Sequence, residues 1–223
     1  RNPEFDGTGA TPGQCLGPFQ YEHGDPRFQE SSVLASPEAE GLHITVSGCV
    51  ASTTGAPVPG AVLEVWQATA TGKYPHEKDI NTLGHLDPHV HHYVRVVADQ
   101  EGRYEFRTVK PGAYPVPLTE KLEDSTWWRP PHVHFRVNAA GMAELVTQMY
   151  FAADNEMNEK DELQKLLTEE QKAQLRVAVT PQNTVDFNVV LSPEGYPGVG
   201  PGVRPWDMGL AVAPAYEEST RNL

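Results

Sequence analysis

The sequence predicts an all-β fold, a β-sandwich of mainly antiparallel strands. Short runs alternate apolar and polar residues, as in Leu42-His43-Ile44-Thr45-Val46, and this alternation is typical of half-buried strands. Gly and Pro separate the runs, and helical patterns do not alternate with them, which favours a sandwich or barrel over an α/β fold. Long loops around a functional site and extended arms at both ends complete the expected fold.

Further strands are expected from the same pattern, and a closing hairpin is expected at its end. The strands cover residues 61–66, 94–98, 103–109, 132–137 and 145–151, and the hairpin joins 175–179 to 185–191. One short helical segment is expected near residues 158–175, where Thr168 and Gln171 fit a capping box. Its leucines at 163, 166 and 167 are interpreted as packing, and its charges as a solvated face.

Composition shifts divide the chain into three segments. Residues 1–41 are irregular and turn-rich and are expected to form an arm that contributes to the site, while residues 42–191 form the sandwich domain. Residues 192–223 are rich in Gly and Pro, which is typical of a linker or of an arm that wraps a neighbouring subunit. The segment from residue 68 to 93 interrupts the strands, and a loop of that length is usually functional.

The charge balance excludes several partner classes. Seventeen Lys and Arg against thirty Asp and Glu give a net charge of −13, which argues against nucleic acid and anionic membranes. A membrane span is not expected, because no run of about 18 apolar residues occurs. Cys15 and Cys49 are either free or joined in one bridge. A cytoplasmic location is favoured, and export stays open because the sequence starts at Arg1.

A His-x-His pair is the strongest chemical signal in the sequence. In a strand, His132, His134 and Arg136 share one face, and the apolar residues between them share the other. Two neighbouring imidazoles suit iron, zinc or copper. The alternative is a pair of surface histidines on a half-exposed strand. The bulky flanking run Trp127-Trp128 favours the metal site, because it would wall in that face.

Tyrosines are the remaining candidates for further ligands. The next carboxylate after His134 is Glu144, and two cysteines are too few for a multi-thiolate zinc site. Tyr74 and Tyr114 lie in turn-rich segments, where ordinary packing is the alternative for each. A phenol has a pKa of about 10, and a hard trivalent cation can ionise it. Two tyrosines with two histidines would therefore point to ferric iron.

Four blocks of sequence resemble the intradiol ring-cleavage dioxygenases and occur in the order of that family. They are Gly55–Ala68 with Gly72-Lys73-Tyr74, then Gly102–Pro115, then Trp128–Phe135, then Thr147–Phe151. The layout is similar to the single-domain subunits of the protocatechuate 3,4-dioxygenase type, because the helical N-terminal domain of the catechol 1,2-dioxygenase type is missing.

The resemblance implies a mononuclear non-haem Fe(III) site, one per chain. It implies a small aromatic ortho-diol and O2 as substrates, a cis,cis-muconate derivative as product, and an oligomer of identical subunits. The four implied iron ligands are Tyr74, Tyr114, His132 and His134.

The resemblance also implies roles for residues beside the metal. Arg129 would stabilise negative charge on the ring, and Gln148 would position the ring. Tyr114 would leave the metal and take a substrate proton. The segment Gly17-Pro18-Phe19 matches one that reaches the site in the family.

Departures from the family leave alternatives open. The loop 85–92 is rich in histidine, and its side chains could cover the site, bind a second metal or be solvated. Together with Val116, this loop leaves the identity of the diol undetermined. A non-catalytic carboxypeptidase-regulatory-like β-sandwich module is the rival interpretation, because residues 42–115 resemble it as well. A different metal enzyme, built on the histidine-rich loop, is the third.

Overall fold

The computed structural model describes residues 9–116 and 124–194 and contains mixed β-sheets with few helices. In chain order its strands are β1 (Gln29–Glu30), β2 (His43–Ser52), β3 (Val62–Trp66), β4 (Tyr93–Val97), β5 (Arg103–Val109), β6 (Tyr114–Pro115), β7 (Trp128–Arg129), β8 (His132–Asn138), β9 (Leu145–Phe151), β10 (Arg176–Val177), β11 (Thr184–Asp186) and β12 (Val189–Leu191). The predicted tail from residue 195 onward lies outside these ranges.

The larger sheet carries the His-x-His strand near its centre. Its order is β1-β4-β3-β8-β9-β10, and the long strands β4, β3, β8 and β9 pair antiparallel. The two-residue edge strands β1 and β10 pair in parallel. The sheet is therefore mixed, because its short edges are reached by long connections rather than by tight turns.

The second sheet is built around β2. Strand β5 pairs with β2 antiparallel, and β11 and β12 pair with it in parallel. The predicted closing hairpin is therefore wrong: β10 joins β9 in the first sheet, whereas β11 and β12 join β2. The turn between β10 and β11 is closed by a hydrogen bond from the Thr180 amide to the Thr184 carbonyl over 2.9 Å.

The two sheets contribute to one hydrophobic core. In β8 the side chains of Val133, Phe135 and Val137 are buried in that core, as the period of two predicts. Phe106 of β5 meets Phe135 with ring centroids 6.0 Å apart. The opposite face of β8 is thereby left to its histidines and Arg136.

The predicted helical segment is broken into short pieces. Two α-helices, α1 (Asn155–Lys160) and α2 (Glu169–Leu175), are separated by residues that include a 3-10 turn. The capping box at Thr168 is present. Leu163 is buried, but Leu166 is 60% exposed, so the expected apolar stripe is wrong at that residue. Asp161 is fully buried, which contradicts a uniformly solvated charged face.

The N-terminal arm crosses the sheets from residue 11 onward. The Gln14 amide donates to the Val146 carbonyl over 2.8 Å, and the Thr11 amide donates to the Val190 carbonyl over 3.0 Å. Farther along, Arg136 bonds to the side chain of Gln20 over 2.8 Å and to buried Glu64 over 3.1 Å. The arm is thus fixed to both sheets. Within the described ranges, no helix is long and apolar enough to cross a membrane.

Candidate active site

Strand β8 places its two imidazoles side by side. Their Nε2 atoms are 3.2 Å apart, and both rings are buried. The Nδ1 atom of His132 lies 2.6 Å from the Pro130 carbonyl. Because a carbonyl only accepts, Nδ1 carries the proton and Nε2 of His132 presents a lone pair. This arrangement fits a metal ligand whose second nitrogen is held by the backbone.

His134 is held by an aromatic stack. Strand β3 pairs with β8 so that Trp66 is opposite His134, and their rings stack with centroids 4.6 Å apart and planes at 4°. Among the described residues, Nδ1 of His134 has no hydrogen-bond partner.

The two predicted tyrosines lie beside the imidazoles. The Tyr114 hydroxyl is 3.3 Å from Nε2 of His132, and the rings of Tyr74 and Tyr114 meet edge to face with centroids 5.7 Å apart. Gly72 allows this approach: its φ is +82°, and a Cβ there would lie 2.2 Å from the Ala113 carbonyl oxygen. The structure therefore brings the four predicted ligands into one buried cluster.

Burial sets the protonation of this cluster. It lowers the pKa of both histidines well below the usual value, and nearby positive charge on Arg129 acts in the same direction. Burial also raises the pKa of Tyr74 and Tyr114. Without added positive charge, the cluster therefore holds neutral imidazoles and neutral phenols. The Tyr74 hydroxyl has no hydrogen-bond partner within the described part of the chain.

The two predicted polar residues also reach the site. Arg129 pairs across β6 and β7 with Tyr114, and its Nη2 donates to Oε1 of Gln148 over 2.6 Å. In β9, Gln148 is opposite His134. Its Nε2 donates to the Cys15 carbonyl over 2.8 Å, so the arm and Arg129 together fix the orientation of the amide.

The predicted arm segment covers the cluster. A Cβ on Gly17, whose φ is +74°, would lie 3.3 Å from Cε1 of His134. Phe19 packs on Tyr74 with ring centroids 4.7 Å apart. Pro18, which lies between Gly17 and Phe19 in the chain, is buried. All three residues therefore lie at the site.

The histidine-rich loop does not form a second metal cluster. Within residues 9–116 and 124–194, no group of three or more His, Cys, Asp or Glu could hold a metal ion. His85, His89 and His91 are exposed, whereas His92 is buried and bonds to the Gln67 carbonyl at 3.1 Å. Cys15 and Cys49 are both free and buried, which answers the question of a bridge.

Three residues at the site were missed by the sequence analysis. Trp66 follows only from the strand register, and Asp161 lies in a segment interpreted as solvated. Tyr150 was predictable, because alternation in β9 puts it on the face of Gln148, and its hydroxyl lies 2.9 Å from Oε1 of that side chain.

The chain matches a known family and known relatives. A family model described as dioxygenase matches residues 17–193. The protocatechuate 3,4-dioxygenase beta chain of Burkholderia cepacia is 38% identical over 140 residues, which are 62% of this chain and 54% of that protein. Chlorocatechol 1,2-dioxygenase of Pseudomonas sp. strain P51 is 39% identical over 115 residues, 48% of this chain and 43% of that protein. The chain spans about half the length of these curated relatives.

A solved structure is similar over most of this chain. It is the dioxygenase domain of a dioxygenase carbohydrate-binding protein fusion from the cellulolytic bacterium Streptomyces sp. SirexAA-E. The TM-score is 0.60 at 25% identity, and the match covers 82% of this chain and 99% of that one. With the family match over residues 17–193, the similarity leads to one conclusion: the chain belongs to the intradiol ring-cleavage dioxygenase family.

Proposed function

We propose that this chain is a non-haem Fe(III) intradiol dioxygenase. It would insert both atoms of O2 between the two hydroxylated carbons of a catechol-type ring and give a cis,cis-muconate derivative. The observation that carries the proposal is the buried cluster of two phenols and two imidazoles, with Nε2 of His132 3.2 Å from Nε2 of His134 and 3.3 Å from the Tyr114 hydroxyl. The family membership supports the same reaction.

The donor set fits iron, the metal of this family. The Tyr74 hydroxyl is buried and has no partner among the described residues, an arrangement that costs free energy unless something binds it. Burial raises the pKa of both phenols, so their ionisation requires strong local positive charge. A ferric ion provides that charge and would be held, one per chain, by Tyr74, Tyr114, His132 and His134.

The bound ferric ion would supply Lewis acidity that draws electron density from a chelated diol. The protein side chains would stabilise negative charge, accept a proton and exclude water. Arg129 is always charged, and it lies in a water-poor site where its stabilisation of negative charge on the ring is strong. The Tyr114 oxygen, once ionised, is placed to accept a proton from a diol hydroxyl. Phe19 and Gly17 close one side of the cluster and keep water out.

The substrates would be a small aromatic ortho-diol and O2. The relatives are named for protocatechuate, chlorocatechol, catechol and hydroxyquinol, which have adjacent ring hydroxyls in common. An assembly of identical subunits and a two-layer, mainly antiparallel β-sandwich belong to the same proposal. The shared core of the two large sheets supports that architecture. The binding-module interpretation is not favoured, because it gives no reason for a buried Tyr and His cluster.

The test is the visible absorption spectrum of the purified protein, with iron content measured on the same sample. We expect a coloured protein with about one iron per chain and an absorption band from tyrosinate-to-iron charge transfer. Anaerobic addition of catechol or protocatechuate should shift the band, and admission of air should then consume the diol. A protein that stays colourless after iron loading would contradict the proposal.

A further inference from the structure

Asp161 is a buried carboxylate in contact with Arg129. Its side chain is fully buried, and its Oδ1 accepts from Nε of Arg129 over 3.1 Å. The same oxygen accepts from Nε1 of Trp127 over 3.0 Å. The 5% exposure of the Arg129 side chain means that water contributes little to either charge, so each ion depends on the other.

The contacts of Arg129 define its orientation. Nε donates to Asp161, and Nη2, on the same edge of the guanidinium, donates to Gln148 over 2.6 Å and to Tyr150 over 3.1 Å. The hydrogen bonds that Arg129 donates to the described residues all come from Nε and Nη2. Protein groups thus occupy one edge of the fork, and Nη1 is left for a ligand.

The backbone around Asp161 is itself fixed by buried amides. Nδ2 of Asn158 donates to the Phe151 carbonyl over 2.9 Å, and Nε2 of Gln164 donates to Oδ1 of Asn158 over 2.9 Å. Both amide side chains are fully buried. The segment after α1 is therefore anchored to the end of β9, the strand that carries Gln148. A rigid support of this kind is what a catalytic side chain needs in order to stay in position.

We propose that Asp161 is the positioning residue of Arg129, holding its Nε so that the free end of the guanidinium faces the bound diol. The inference rests on the proposed function, because it assumes that Arg129 acts on a ring that is being cleaved. Asp161 acts through Arg129 and does not touch the substrate. Removing its charge should therefore slow the reaction only while Arg129 is present.

The experiment is a double-mutant cycle in the iron-loaded protein. The variants are Asp161→Asn, which keeps the shape and removes the charge, Arg129→Leu, and both together. We expect kcat to fall about tenfold in Asp161→Asn and about a hundredfold in Arg129→Leu, with kcat/KM falling in parallel, because the lost interaction acts in the transition state. The double variant should have the kcat of Arg129→Leu within about twofold.

Two further measurements separate positioning from a merely structural role. Thermal unfolding should show the double variant more stable than Arg129→Leu alone, because the latter leaves Asp161 buried without its partner. Iron content and colour should match the unaltered protein in Asp161→Asn. Glu162→Gln, at the next position but partly exposed and paired with Lys165, is the matched control and should have unaltered kinetics.

The possible outcomes distinguish a failure of the proposed function from a failure of the role of Asp161. Failure of the unaltered protein to cleave any diol would contradict the proposed function. Cleavage by the unaltered protein together with unaltered kcat in Asp161→Asn would overturn the role of Asp161 alone. So would losses that multiply in the double variant, because Asp161 would then act independently of Arg129.

Discussion

The imidazole of His134 lies flat against the indole of Trp66, with ring centroids 4.6 Å apart and planes at 4°. Its neighbour His132 is oriented differently, through a hydrogen bond from Nδ1 to the Pro130 carbonyl. Nδ1 of His134 has no partner among the described residues. The stack on Trp66 therefore orients the His134 ring, as the Pro130 carbonyl orients the His132 ring. Trp66 therefore orients a proposed ligand without being one.

Replacing Trp66 should weaken iron binding. Trp66→Leu removes the flat surface under His134, and the loss of an orienting contact around a ligand typically costs about 10- to 100-fold in metal affinity. Trp66→Phe should cost less, because an aromatic face remains. Iron per chain after dialysis against a graded chelator measures the effect. Trp128→Leu, at a side chain that is 37% exposed, is the control; equal iron loss in both leucine variants would contradict the prediction.

A methyl group at Gly17 should disturb the site from the arm. Gly17→Ala would put a Cβ 3.3 Å from Cε1 of His134 at a φ of +74°, so both backbone strain and a close contact are expected. Gly60→Ala has a similar φ of +70° and nothing within 4 Å, so it has the strain alone, about 1 kcal/mol. The melting temperature should fall in both variants, and by more in Gly17→Ala, but only Gly17→Ala should change the visible spectrum. Identical spectra would show that the arm does not press on His134.

Removing the Tyr114 hydroxyl should change colour and rate while iron is retained. Tyr114→Phe leaves Tyr74 and both imidazoles as ligands, so iron should stay bound with a shifted absorption band. Turnover should fall about a hundredfold, within the range by which a positioned acid or base accelerates reactions. Tyr104→Phe is the control, since that hydroxyl bonds to the Phe187 carbonyl in the core. An unchanged band and rate in Tyr114→Phe would remove this ligand from the set.

The buried His92 should make stability depend on pH. Burial lowers its pKa from 6.5 to about 4, so the folded ring stays neutral in this window while the unfolded ring takes up a proton. The unfolded state then binds more protons, and the free energy of unfolding falls as pH drops from 6.5 to 4, by about 3 kcal/mol for this group.

The measurement is urea unfolding of the unaltered protein and of His92→Asn at several pH values between 6.5 and 4.5. Asn tolerates the φ of +64° at this position, and it has no proton to gain. The fall in the free energy of unfolding should therefore be smaller in His92→Asn. His91→Asn, at the exposed neighbour, should behave like the unaltered protein. Parallel curves for all three proteins would refute a buried neutral His92.

Local pattern predicted the part of the site that lies on one strand. Alternation in β8 places His132 and His134 opposite the core residues Val133 and Phe135, because side chains in a strand alternate with period two. The resemblance located the two tyrosines. Contacts between distant segments had no such signal: the Trp66–His134 stack depends on register, and Asp161 is buried only because the segment after α1 packs beside Arg129.

The same limit explains the errors in the fold. The runs at 175–179 and 185–191 have strand patterns, but pattern does not name the partner strand, and β11 and β12 pair with β2 instead of with β10. Leu166 fits an apolar stripe only if the helix is continuous. The break between α1 and α2 turns that side chain toward solvent.

The bond from Gln148 to the Cys15 carbonyl joins residues 133 positions apart. During synthesis, the strand that carries Gln148 leaves the ribosome long after the arm does. Closing so long a loop is slow and entropically costly. The arm therefore lacks its hydrogen bond to Gln148 during most of translation. The arm is therefore expected to cover the cluster late in folding, after all four proposed ligands have been synthesised.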